Sequence, residues 1–442
     1  MSKISLFINK DFSLISDLKN NYDLISFYIG IFLLPSALPI SLIFILYSII
    51  CSIFKNKKDF INDKVNISFL FACFILLIST FTHFFGDLDF DYENNWDASL
   101  SVIGLANWIP LILIFIGSHT YLKTKESRKR FAIILLSGSF PVLFSCFSHY
   151  FLKWYGPYEG LNGLITWYQR PLPNFLGVTG LFNNQNYTAC WLNIIWPFAI
   201  ANFISIKKNF LKKIFSFFIL ITIFVFIIFT GSRAGWIGMI CAIPLVLGSK
   251  SIKWFIPSLF FLLSFFTAII FPIFGETFQN FLQTYIPKFL WMEFSSKAYE
   301  GWDSSRIEIW ETAFNGIRDN FFFGNGAASF SYFFKHQTSF WKGHAHNLPL
   351  ELSFSYGVPA AFIILGTITF IIYRGFKSQY LNKKTILKES IYEKAWFSSL
   401  LILLLGHIVD IQYFDARISI IGWLLLAGLR NAFNNDLEET KS

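Results

Sequence analysis

The chain has 442 residues, of which 54% are hydrophobic and only 14% charged, and its formal charge is +9. Soluble domains carry about 25% charged residues, so this composition excludes an ordinary soluble fold and points to a bilayer. The positive balance does not imply a nucleic-acid partner, because the Lys and Arg residues lie in short loops between apolar runs, where they orient a membrane protein.

The N-terminal stretch MSKISLFINKDFSLISDLKN has no continuous apolar region ending in small residues, so it does not read as a signal peptide. The run Leu24–Phe54 is too long for one ordinary span and is interrupted by Pro35 and Pro39. Proline removes a backbone donor and disfavours helix at the residue before it. The run therefore forms either one kinked helix or two short helices in a hairpin. A span needs about 20 apolar residues. The candidates that follow are Ile67–Phe85, Leu100–Tyr121, Phe131–Phe151, Tyr187–Ile204, Ile214–Thr230, Trp236–Leu247, Trp254–Phe274, Leu348–Tyr373, Trp396–Val409 and Ile418–Leu429. The expected fold is an all-α polytopic membrane protein of about 12 transmembrane helices, or 11 if Leu24–Phe54 is a single span. The chain reads as one integral membrane domain over residues 1–442, with a large external loop at about 275–346 that contains short helices.

Basic residues cluster in alternate loops, such as Lys123 to Arg130, Lys207 to Lys213 and Arg374 to Lys384. The positive-inside rule puts those loops in the cytoplasm. The others, with the long 275–346 segment, then face outward, and the hairpin reading of Leu24–Phe54 leaves both termini inside. The five cysteines all lie in apolar runs without metal-ligand spacing and read as small hydrophobes.

Three outward-facing positions suit chemistry. Arg233 lies in TGSRAGWIG at a helix end, and Arg306 opens the loop helix SSRIEIWETAFNGI, where Ile307, Trp310, Phe314 and Ile317 follow helical periodicity. His346 precedes Asn347 and Pro349, a helix-start pattern. A helix N-terminus disfavours imidazolium and favours the neutral ring that a general base requires. Each has a plainer alternative: a snorkelling arginine, a solvated loop arginine, a structural histidine. Glu351, one turn on, is close enough in sequence to orient His346, whereas His344 belongs to the loop. Near the last outer turn, Asp410 or Asp415 pairs with Arg417. A rival motif is the acidic loop GDLDFDYENNWD, whose Asp87, Asp89 and Asp91 form D-x-D pairs suited to Mg²⁺ or Mn²⁺.

Three blocks together resemble the O-antigen ligase and O-antigen polymerase superfamily of bacterial inner-membrane glycan transferases. They are GLFNNQNYTACWL (Gly180 to Leu192), TGSRAGWIG (Thr230 to Gly238) and HNLPLELSFSYGVPA (His346 to Ala360). Gln185 stands where the first block usually has proline, and Pro359-Ala360 where a glycine-containing turn is common. The resemblance implies an inverting glycosyl transfer that needs no metal or other cofactor, at the periplasmic face of the bacterial inner membrane. The donor would be a glycan on undecaprenyl diphosphate and the acceptor a lipid core, a second glycan or a protein hydroxyl. It assigns catalysis to His346, Arg233 and Arg306, with Asn184, Asn186, Asn347 and Glu351 joining the arginines in substrate binding. A solute transporter is the alternative from another class. It would place its ionisable groups at the bilayer midplane, whereas these cluster at one face.

Overall fold

The computed structural model describes residues 21–85, 96–171, 177–248, 251–287, 291, 305–381 and 391–441. The acidic loop with Asp87, Asp89 and Asp91 lies outside them. Among the described residues, ten helices are long and apolar enough to cross a membrane, and two shorter apolar ones, Tyr22–Leu33 and Arg233–Leu247, join them. The architecture is that of an all-α polytopic membrane protein. The Leu24–Phe54 run resolves into a hairpin of Tyr22–Leu33 and Leu38–Lys55, turning through residues 34–37 as the prolines require.

One helix organises this part of the bundle. Gln185–Ser205 is buried on nearly every side, by Trp191, Leu192, Ile195 and Phe198 among others, which is what an apolar helix without a polar face must do. It packs against Ile391–Val409 and Arg233–Leu247. Peripheral helices instead expose large apolar side chains such as Phe260 and Phe261 on Ile252–Ile270, a surface suited to lipid rather than water.

The two ends of the bundle differ in chemistry. At the basic end, the Arg128 guanidinium donates to both carboxylate oxygens of Glu393, at 2.8–3.1 Å, and to the Leu122 carbonyl. Arg430 pairs with Asp63. These ties hold Lys125–Gly138, Ile391–Val409, Lys64–Phe85 and Ala416–Lys441 in register. Ile391–Val409 rises about 28 Å over its 19 residues, so Glu393 at its start and Asp410 just past its end lie at opposite ends of the bundle. A two-stranded antiparallel hairpin, Tyr158–Gly160 with Ile165–Trp167, adds a small strand element near Asp410's end, where the Trp167 indole donates to Ser36 O in the first hairpin's turn.

Two local expectations fail. The Leu348–Tyr373 run is broken into Leu348–Tyr356 and Val358–Phe376. Gly357 sits at φ +86°, a conformation only glycine adopts without strain, and Pro359 follows in the next helix's first turn. The nine-residue piece therefore belongs with the loop helices rather than with the span. On Arg306–Asp319 the buried face is Ile309, Thr312, Ala313, Gly316 and Ile317, whereas Ile307 and Phe314 are exposed. Close packing decides this: a side chain at Gly316 would lie 2.4 Å from the Phe354 ring. Ala313 and Gly316, between Ile309 and Ile317, let this face close onto the loop's own apolar cluster of Phe330, Phe333, Phe334 and Phe354, and Ile307 and Phe314 turn outward.

Candidate active site

The site grows from four helix starts at the end opposite the basic loops. Asn347 caps Leu348–Tyr356: its Oδ1 accepts the Leu350 N–H at 3.0 Å, and its Nδ2 donates to Ile408 O at 2.8 Å, tying that helix to the end of Ile391–Val409. Asn184 caps Gln185–Ser205 by accepting the Asn186 N–H at 2.7 Å. Ser232 caps Arg233–Leu247 and Ser305 caps Arg306–Asp319. Such caps satisfy otherwise orphaned N–H groups. Here they fix where Asn186, Arg233, Arg306 and His346 begin.

His346 is held at φ +50°, an uncommon conformation for a residue with a side chain. Neighbours impose it. The Ala345 N–H donates to Glu351 Oε2 at 2.8 Å and the His346 N–H to His344 Nδ1 at 3.2 Å. The bend brings His346 Nδ1 to 2.8 Å from Asp410 Oδ1. Asp410 is clamped in turn: Oδ1 also accepts the Ile411 N–H at 3.0 Å, while Oδ2 accepts from Asn186 at 3.1 Å and Gln412 at 3.2 Å.

This network sets the protonation. Burial works to raise the Asp410 carboxyl, but the His346 hydrogen bond and the positive charge of Arg306 act against it, and the carboxyl is held below the usual carboxylate value. An ionised carboxylate only accepts, so His346 Nδ1 carries the proton of this contact and Nε2 is the ring nitrogen left over for other partners. His344 is pushed down to about 4, first by burial and then by repulsion from His346, and is neutral at physiological pH. Glu351 is pushed up to about 7 by burial, against the hydrogen bonds from Ala345 and Ser355.

The structure brings together most of the residues picked from sequence, in roles that differ. His346 and Asn186 meet directly on Asp410. Asn184 and Asn347 act as caps, and Glu351 holds the backbone of Ala345 rather than the His346 ring. The half-exposed Arg306 lies close enough for its charge to act on both Asp410 and His344. Arg233, half-buried, starts a helix whose Ser232, Ala234 and Gly235 share a cavity of about 30 Å³ with Asn186 and Gln412, room for one water molecule. His344 is not a remote loop residue: its ring lies 4.3 Å from that of His346.

Asp410 is the residue whose place the sequence left open. The structure gives Asp415 to Arg417, at 2.8 Å, with the guanidinium 4.0 Å over the Phe182 ring, and gives Asp410 to His346. The separation of 64 positions from His346 to Asp410 carries no spacing signal; the available hint was a carboxylate ending a span at the same face. Gln185 also gains an explanation, since its side chain accepts the Gly177 N–H and closes the loop before its helix. His344, His346 and Asp410 each offer one donor atom within 4.8 Å of the others, a set whose chemistry also suits a divalent metal such as zinc.

Residues 215–365 match the family model described as O-antigen ligase. The match takes in Arg233, Arg306, His346, Asn347 and Glu351 and leaves Asn184, Asn186 and Asp410 outside it. No curated protein matches the chain.

Proposed function

We propose that this chain, whose residues 215–365 match the O-antigen ligase family model, transfers a glycan from undecaprenyl diphosphate to an acceptor hydroxyl at the periplasmic face of the bacterial inner membrane. The observation that carries the reading is the His346–Asp410 pair at 2.8 Å, at the end opposite the basic loops, where Arg306 lies close enough for its charge to act on Asp410.

In this mechanism the acceptor hydroxyl attacks the anomeric carbon from the face opposite the diphosphate. His346 Nε2 takes its proton, Asp410 stabilises the imidazolium that forms, and the bond from the anomeric carbon to the diphosphate oxygen breaks with inversion. The leaving diphosphate carries the charge. Arg233 and Arg306 stay charged at any working pH and offer forked donors to its oxygens. Fixed cations of this kind make a large electrostatic contribution to lowering a barrier, so the step needs no metal. Asn186 and Asn347 act behind them, one on Asp410 and one on the turn that carries His346.

A lipid-core acceptor makes the protein a ligase; a second lipid-linked glycan would make it a polymerase with the same donor chemistry. The reading is tested by supplying purified protein with undecaprenyl-diphosphate-linked glycan and a lipid-core acceptor. Release of undecaprenyl diphosphate together with glycosylated acceptor supports a ligase, and a longer lipid-linked glycan supports a polymerase. Neither product from active, folded protein would refute glycosyl transfer.

A further inference from the structure

Behind the histidine turn lies a cavity of about 240 Å³, whose walls include Asn107, Trp108, Gly343, Glu351, Tyr356 and Phe414. It shares a wall with the proposed catalytic site. Gly343 adjoins His344, the Glu351 carboxylate accepts the N–H of Ala345 between the two histidines, and the Phe414 ring lies 6.1 Å from that of His344.

Its polar groups are unusual for so buried a place. The Tyr356 side chain is almost fully buried, 3% exposed, yet its hydroxyl has no hydrogen-bond partner among the described residues. Leaving a buried polar group unmet is costly, so an unmet hydroxyl beside a cavity calls for a partner such as a ligand or a water. The facing position is Gly104, where an added Cβ would lie 2.3 Å from Ala327 Cβ and 2.6 Å from the Tyr356 hydroxyl oxygen, so glycine there is what lets the Tyr356 hydroxyl end pack against this wall. Trp108, stacked at 4.7 Å on Tyr413, and Phe414 supply aromatic walls. Apolar faces with a few convergent hydroxyl, amide and carboxyl groups match a sugar ring, which has C–H faces and a hydroxyl rim. The volume falls below the roughly 300–1,000 Å³ of pockets for larger ligands, which suits one ring rather than a chain.

We propose that this cavity is the acceptor subsite, holding the sugar ring whose hydroxyl is presented to His346. The assignment rests on the glycosyl-transfer reading above. Tyr356 hydrogen-bonds one ring hydroxyl, Glu351 a second, and Trp108 with Phe414 flank the ring, so the hydroxyl nearest Gly343 points toward the histidines.

The test uses the full-length protein in lipid nanodiscs and, as probes, the methyl glycosides of glucose, galactose and mannose, with binding followed by saturation-transfer NMR. Affinity for undecaprenyl diphosphate is measured in parallel. Two variants are chosen to fold. Tyr356→Phe removes only the unpartnered hydroxyl. Gly343→Phe puts a bulky ring on the cavity wall, at a position where an added Cβ meets nothing within 4 Å. At least one glycoside should bind the wild type. Tyr356→Phe should weaken it by about 5–10-fold, the worth of one hydrogen bond, and Gly343→Phe should abolish it, with undecaprenyl diphosphate affinity unchanged in both. Glycoside binding that survives Gly343→Phe, or no binding by any of the three, would overturn the proposal and leave a cavity that holds water only. Glycoside binding without undecaprenyl diphosphate binding would instead refute the donor assignment and leave the sugar subsite standing.

Discussion

Replacing Asp410 separates an orienting carboxylate from a merely structural one. In Asp410→Asn the new amide has one sensible orientation. Its oxygen must face the Ile411 N–H, a backbone donor that cannot turn, and the same oxygen position serves His346 Nδ1. The amide NH₂ then replaces Oδ2 and faces Asn186 and Gln412, whose own amides can turn over to offer oxygens. The hydrogen bond to His346 survives and its charge is lost. A hydrogen bond to a charged group contributes about 1.5–3 kcal/mol and a neutral one about 0.5–1.5, so the loss in the transition state is about 1–2 kcal/mol, or about 5–30-fold in kcat. Asp410→Ala also frees the ring, and its cost should approach the roughly 10²–10⁴-fold of losing a general base. The assay is product formation by purified variants, with undecaprenyl diphosphate affinity as the control that should not move. Wild-type kcat in Asp410→Ala, or an Asn variant slower than the Ala variant, would refute the orienting role.

Other consequences are equally open to measurement. Arg233→Lys should be severely defective in transfer although the charge is kept, because an ammonium cannot reproduce a forked contact with diphosphate oxygens; near-normal transfer would leave Arg233 as a snorkelling residue. Activity should survive chelation by EDTA, and loss restored by an added divalent metal would move the chemistry to the His344–His346–Asp410 donor set or to the acidic loop with Asp87, Asp89 and Asp91. Glu351 should make the fold pH-sensitive. Its carboxyl is pushed up to about 7 from an ordinary 4.5, so the folded state binds the extra proton between those values. Its contribution is therefore complete below about 4.5 and is lost as pH rises through about 7, by an amount on the order of 3 kcal/mol. Thermal melts should show stability falling across that window in the wild type and a flatter profile in Glu351→Gln.

The span pattern was legible because about 20 apolar residues between charged loops have few other uses, and the proline pair gave the hairpin at Leu34 to Ala37. What sequence could not resolve were choices made by packing. Gly357 and Pro359 look unremarkable inside an apolar run, yet they detach Leu348–Tyr356 from its span and aim that helix's start at Asp410's end of the bundle. On Arg306–Asp319, Ile307 and Phe314 outrank Ala313 and Gly316 in hydrophobicity, but the ring of Phe354 approaches so closely at Gly316 that no side chain fits there. In the candidate site, local signals found the residues at helix starts, because caps and helix N-termini are written in adjacent positions. They could not find the partner of His346. That contact joins two helix ends far apart in sequence and is fixed by the fold around Gln185–Ser205.

The most direct test of the account is His346→Ala in purified protein, read for product formation and for undecaprenyl diphosphate affinity together. Loss of the base should lower transfer by about 10²–10⁴-fold while the diphosphate still binds, because Arg233 and Arg306 remain. His344→Ala, which removes an acceptor for one backbone N–H, should keep substantial activity. An active His346→Ala enzyme beside an inactive His344→Ala enzyme would contradict the catalytic assignment, and full activity in both would mean that no histidine acts as the base.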